Sequence, residues 1–122
     1  MNALLILAHG SRKKRSNDEV QSLAQRYEVA YPDQFDAVYA GFMELAQPDI
    51  HMTIRTAIDA GATQLTILPY FLAAGAHVVD DIPEIVESAM ADYPDMKHRI
   101  LPHVGGADGM VGLINQLCSD IN

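Results

Sequence analysis

The sequence predicts an α/β fold: a single doubly wound domain with a four-stranded parallel sheet, assembled from flavodoxin-like β-α units. Three observations predict it. Short continuous apolar runs alternate four times with longer stretches whose apolar residues recur at three- and four-residue spacing. The runs are apolar at nearly every position, as strands covered on both faces require. The chain is 122 residues long, enough for one core of ordinary size.

The elements follow in order. The run from Ala3 to Ala8 is the first strand, and Val20, Leu23, Ala24 and Tyr27 then form one helix face, stopped by Tyr31-Pro32-Asp33. Ala37 to Met43 is the second strand. The helix after it begins around Pro48, carries Ile50, Ile54, Ala57 and Ile58 on one stripe, and ends at Gly61. Leu65 to Leu72 is the third strand, leading through Ala73-Ala74-Gly75 to a helix bearing Ile82, Ile85, Val86, Ala89 and Met90, which Tyr93-Pro94-Asp95 stops. Arg99 to Val104 is the fourth strand, and Gly105-Gly106 leads into Met110, Val111, Ile114, Leu117, Cys118 and Ile121, read as the core face of the last helix. At the end of the third run, Phe71 and Leu72 read as core. With no low-complexity tract, linker or internal repeat, residues 1–122 form one domain.

Composition bounds the function. A formal net charge of −8 and a pI near 4.8 argue against a nucleic-acid partner, because neutralising phosphates takes a broad basic face. The first apolar run is too short to span a membrane and has no cationic flank, so it reads as neither a signal peptide nor an anchor, and the cytoplasm is the expected location. The single cysteine, Cys118, has no intrachain partner and reads as a buried thiol.

In open parallel sheets ligands bind beyond the carboxyl ends of the strands. The residues there are unusual: His9 after the first strand, Glu44 after the second, His77 in "FLAAGAHVVDDIP" after the third, and His103 in "LPHVGG" after the fourth. Imidazole and carboxylate together suit a divalent first-row metal, and both can move protons near neutral pH. Each alone could equally tie down a loop by hydrogen bonding. His51 and His98 fall away from this edge and read as surface. Half of the basic residues, Arg12, Lys13, Lys14 and Arg15, follow His9 directly, at what reads as the approach to a helix N-terminus, where cations oppose the macrodipole and so invite another explanation.

"LAHGSR", "GFMELAQP" and "LPYFLAAGAHVVDDIP" resemble, in order and spacing, the signature segments of the short sirohydrochlorin chelatases of the CbiX type, and the resemblance covers nearly the whole chain. It implies a chelatase-like fold and insertion of a divalent metal, cobalt, iron or nickel, into sirohydrochlorin without ATP or an organic cofactor. Carried over by motif position, His9 and His77 would present the metal and accept pyrrole protons, with Glu44 completing the metal site or orienting a histidine. The loop residue Ser11 and the cations Arg12 to Arg15 would meet the polycarboxylate substrate, and Tyr70 and Val78 would line the ring pocket. The role of His103 stays open. One α/β layer gives a macrocycle only one wall, and the short form resembles half of longer two-lobed chelatases, so a homodimer is expected. Two other readings compete. A hydrolase using "HGS" as an oxyanion segment lacks any G-x-S-x-G elbow. A non-catalytic metal- or tetrapyrrole-binding module would keep the fold without turnover.

Overall fold

The computed structural model describes residues 1–120, with the side chains of residues 76–79 outside that description. The elements are β1 (Asn2–Ala8), α1 (Lys14–Ala30), β2 (Ala37–Phe42), α2 (Ile50–Asp59), β3 (Gln64–Pro69), α3 (Ala76–Met90), β4 (Lys97–Ile100), a single 3₁₀ turn (Val104–Gly106) and α4 (Gly109–Ser119). All strand pairings are parallel, in the order β2-β1-β3-β4. The β-α alternation and the doubly wound parallel sheet are therefore as the apolar pattern predicts.

β1 is central, and its alternating side chains enter two separate cores. Ala3, Leu5 and Leu7 point into the larger one with Leu65 and Ile67 of β3, Ile50, Ile54 and Ala57 of α2, and Ile82, Val86 and Ala89 of α3. Leu4 and Ile6 point the other way, to Ala24 of α1 and Ala40 of β2. Burying each such Leu or Ile contributes about 1.5–3 kcal/mol, which explains why β1 tolerates no polar residue between Ala3 and Ala8. α2 begins at Ile50 rather than Pro48, because Asp49 is the N-cap: its carboxylate accepts the Met52 amide at 2.8 Å. α2 closes as the sequence predicts. Gly61 takes φ +109°, and its amide and that of Ala62 donate to the Ile58 and Ala57 carbonyls.

Three expectations need correction. β4 is Lys97–Ile100, not Arg99 to Val104, and its first three residues are exposed. An edge strand has one neighbour and a single covered face, so it need not be apolar throughout; Arg99 instead donates from Nε to the buried Thr66 hydroxyl at 3.0 Å. The apolar residues from Leu101 to Val104 form a loop and the start of the 3₁₀ turn. Leu72 is exposed, whereas Phe71 packs on the larger core. Finally, α4 buries none of its residues: Val111 is 76% exposed, Leu117 59%, and Cys118 is also exposed. The cause lies in the preceding turn. The Gly105 amide donates to the Phe71 carbonyl, and a Cβ on Gly105 would fall 1.7 Å from the Leu72 carbonyl oxygen, so the turn is pinned to the loop after β3. From there α4 meets the sheet across an apolar groove of about 460 Å³, lined by Leu4, Ile6, Tyr27, Leu68, Met110 and Leu113 among others. Ile121 lies outside the described residues.

Candidate functional site

The site is built where the loops after β1 and β2 stay bonded to each other. Past the end of β2, the Met43 amide donates to the Ala8 carbonyl and the Glu44 amide to the His9 carbonyl, at 2.9 and 3.0 Å. These two bonds hold His9 and Glu44 side by side at the carboxyl edge. Gly10 makes this possible. It adopts φ +96°, and a Cβ there would lie 1.8 Å from the Glu44 carbonyl oxygen, so only glycine allows the two loops to touch.

The side chains meet as the backbones do, with His9 Nε2 3.2 Å from Glu44 Oε1 and both side chains about half exposed. His9 Nδ1 lies 3.1 Å from the Gly10 carbonyl oxygen. Both ring nitrogens therefore face oxygen acceptors, whereas a neutral imidazole has one N–H to offer. A metal bound by Nε2 and Oε1, with Nδ1–H donating to the Gly10 carbonyl, would give each of these atoms a partner. With metal–ligand bonds of about 2.1 Å, neighbouring donors of an octahedral or tetrahedral ion stand roughly 3.0–3.4 Å apart, and the pair already stands in that range.

The basic segment leaves this site directly. Ser11 is half-buried and locked: its amide and carbonyl both bond to Asn17, and its hydroxyl accepts the Lys13 amide at 3.0 Å. α1 starts at Lys14, so Lys14 and Arg15 occupy its first turn and only Arg12 and Lys13 precede it. No acidic residue lies in that turn, and Lys14 pairs instead with Asp18 at 2.7 Å, in the weaker cation-first orientation. Arg12, Lys13 and Arg15 are exposed and form no ion pair with an acid among the described residues.

Other predicted residues are placed elsewhere. Tyr70 follows β3, its amide bonds to the Leu7 carbonyl, and its ring lines the apolar groove on the α1 side. His103 is half-buried beside Gly106, where a Cβ would come within 2.8 Å of its ring, and it borders a small apolar pocket with Ile82 and Pro83. Among the described residues no three His, Cys, Asp or Glu side chains converge on one point, so His103 does not join His9 and Glu44. The side chains of His77 and Val78 lie outside the described residues, although the backbone of both belongs to the first turn of α3 at the same sheet edge. His51 and His98 are exposed, as predicted.

Sequence reasoning missed three residues. Gly10 was legible only as the partner of His9. Asn17 has no motif of its own. Leu45, next to Glu44, holds φ +65° with its side chain half exposed, a conformation that costs a non-glycine residue about 1–2 kcal/mol and often marks a working loop.

The CbiX family model matches residues 3–121. The chain belongs to the CbiX family. A sirohydrochlorin cobaltochelatase of Methanococcus maripaludis is 40% identical over 86 residues, covering 70% of this chain and 58% of the relative. A sirohydrochlorin ferrochelatase of Priestia megaterium is 33% identical over 97 residues, covering 80% of this chain and 36% of the relative. The chain thus spans little more than half of the methanogen protein and about a third of the other. Among solved structures, the sirohydrochlorin chelatase SirB of Bacillus subtilis subspecies spizizenii, in complex with cobalt, matches with a TM-score of 0.85 and 26% identity over 98% of this chain and 50% of its own. A CbiX protein of Marinobacter aquaeolei VT8 matches with a TM-score of 0.83 and 26% identity, over 98% and 96% of the two chains.

The glycine contacts give a first test. Gly10→Ala should destabilise the domain in urea by about 1–3 kcal/mol more than Gly61→Ala, since both require left-handed backbone but only Gly10 also faces a carbonyl. A Cβ on Gly61 meets nothing within 4 Å. Equal losses would refute the close contact between the two loops.

Proposed function

We propose that this protein is a sirohydrochlorin chelatase, inserting a divalent metal, cobalt, iron or nickel, into the macrocycle without ATP or an organic cofactor. The observation that carries the reading is the His9–Glu44 pair, set at metal-ligand spacing on the carboxyl edge of the sheet. Family membership and the cobalto- and ferrochelatase relatives support it.

Insertion exchanges one divalent cation for both pyrrole N–H protons, so the site must release a metal and accept protons at the same place. Imidazole and carboxylate bind a first-row cation through borderline and hard donors, loosely enough to surrender it, whereas clustered thiolates would retain it. The lone cysteine lies on α4. His9 and Glu44 hold the incoming metal, and His77, carried by the first turn of α3 at the same edge, completes the set and shares the proton transfers. As the metal leaves for the ring, the two pyrrole protons it displaces pass to the groups that held it, one to the His9–Glu44 pair and one to His77.

The substrate's carboxylates explain the basic segment. In a chain of net charge −8, a polycarboxylate would be repelled everywhere but at a local cationic rim, and Arg12, Lys13 and Arg15 provide one beside His9. Tyr70 and Val78 contact the ring from the β3–α3 loop in this reading, and Ser11 shapes the cationic turn.

A homodimer completes the enclosure. α4 leaves Val111, Ile114 and Leu117 open to solvent, and the cobalt-bound SirB chain is about twice as long as this one, so a second copy is the natural cover and the second wall of the cleft. No helix among the described residues is long and apolar enough to cross a membrane, and the reading places the protein in the cytoplasm with no nucleic-acid partner.

Three measurements test this. Mixed anaerobically with sirohydrochlorin and each of the three metals, the protein should accelerate the absorption change. His9→Ala should lose about 10²-fold of that rate and Glu44→Gln at least about tenfold. Ring binding without acceleration would instead favour a non-catalytic binding module. Arg12→Gln with Lys13→Gln should raise KM for sirohydrochlorin and flatten its salt dependence with kcat little changed, because exposed cations act on encounter and are screened over about 10 Å at 0.1 M salt; an unchanged salt slope would reject steering. In sedimentation, the wild type should run as a dimer and Ile114→Glu as a monomer, and a monomeric wild type would reject the paired arrangement.

A further inference from the structure

We propose that Asn17 is the positioning residue of the catalytic loop, setting where His9 stands relative to Glu44 from a place in the helix behind it; this rests on the chelatase reading only for its effect on turnover. Asn17 is the fourth residue of α1, half-buried, and its side chain points back along the chain. Its Oδ1 accepts the Ser11 amide at 3.0 Å and its Nδ2 donates to the Ser11 carbonyl at 2.8 Å.

A carboxamide presents one acceptor and one donor at the spacing of a peptide group, so Asn17 does for Ser11 what a neighbouring strand would do, just where β1 has run out of neighbours. Aspartate lacks the donor, and glutamine is one methylene too long for the same reach. Five residues lie between the partners, so the clamp closes the second half of the β1–α1 turn and the start of α1 into a ring. The Ser11 hydroxyl then accepts the Lys13 amide, which rigidifies the last residue before the helix.

Hydrogen bonds hold the turn at both ends. On the upstream side His9 is tied to the β2 loop by the Glu44 amide, and Gly10 rests against the Glu44 carbonyl. On the downstream side Asn17 is the side chain that grips it. Between these anchors lies Gly10, directly after His9, and the Ser11–Asn17 clamp encloses Arg12 and Lys13. Loosening Asn17 therefore frees one end of the segment that carries both the metal-binding imidazole and the cationic rim, without removing any group that touches metal or substrate.

Asn17→Ala, Asn17→Asp and a control on the same helix, the exposed Ser22→Ala, would be compared with the wild type by amide hydrogen exchange and by anaerobic insertion kinetics. Asn17→Ala should speed exchange by about tenfold not only at Ser11, which loses its acceptor, but also at Glu44, whose amide is bonded to His9. Its kcat at saturating metal and sirohydrochlorin should fall by about tenfold, since small misplacements of a reacting group cost that much or more. Asn17→Asp, which keeps the acceptor for the Ser11 amide, should fall between, and Ser22→Ala should match the wild type in both. A role confined to stabilising α1 would lower the melting temperature while leaving the Glu44 amide and kcat of the folded protein unchanged, and that outcome overturns the proposal. A loss of kcat with the Glu44 amide undisturbed overturns it as well. If the wild type itself inserts no metal, the chelatase reading fails alone, and the Glu44 amide still decides for or against Asn17.

Discussion

The hydrogen-bonded ladder between β1 and β2 is the constraint on which the rest of the site depends. Where it ends, the two loops stay bonded, Met43 to Ala8 and Glu44 to His9, and those bonds put His9 and Glu44 next to each other. Everything upstream serves to keep that register: a one-residue slip would turn Leu5 and Leu7 from the α2/α3 core to the α1 side and exchange the two apolar sets. Because both faces of β1 are buried, no slip is tolerated on either, and the chemistry at its end inherits that precision. A catalytic pair on two independent loops would need its own ordering. This pair takes its order from the core.

The same edge concentrates charge of both signs within a few residues. Glu44 and His9 form a compact pair able to hold a cation, and three unpaired cations leave the turn immediately after. In the proposed chelatase that arrangement would divide labour by location, the rim attracting carboxylates and the pair attracting metal. Lys14 shows the limit of the division, because its ion pair with Asp18 draws it back onto the helix surface. It is the member of "RKKR" whose charge is already answered.

How much of this was legible follows from what each signal measures. Apolar runs report burial, so β1, β2, β3 and the core faces of α1, α2 and α3 could be read directly, and His9 and Glu44 followed because strand ends mark the ligand edge. β4 and α4 were misread for one shared reason. Apolar residues there are not buried in the monomer: Leu101 and Val104 border an open groove, and Val111, Ile114 and Leu117 face outward. Pattern alone cannot distinguish an apolar face that meets its own core from one that meets another surface. Asn17 was invisible for a different reason, since a side chain that bonds to backbone six residues away leaves no periodicity to detect.

The misreading of α4 joins the two halves of the functional picture. In the proposed homodimer, a helix with a core-like sequence and no core of its own would have its apolar burial between chains. The wall opposite the His9–Glu44 edge has the same origin in this picture, because one α/β layer presents its ligand edge on one side only. A macrocycle held by a single layer would keep water on its far face, where a partly dehydrated metal would be rehydrated as fast as it was delivered. Association through α4 would cover the apolar helix and enclose the ring in one event. Stability and enclosure would then rise and fall together with protein concentration, as they do wherever a folded surface is completed by a second copy.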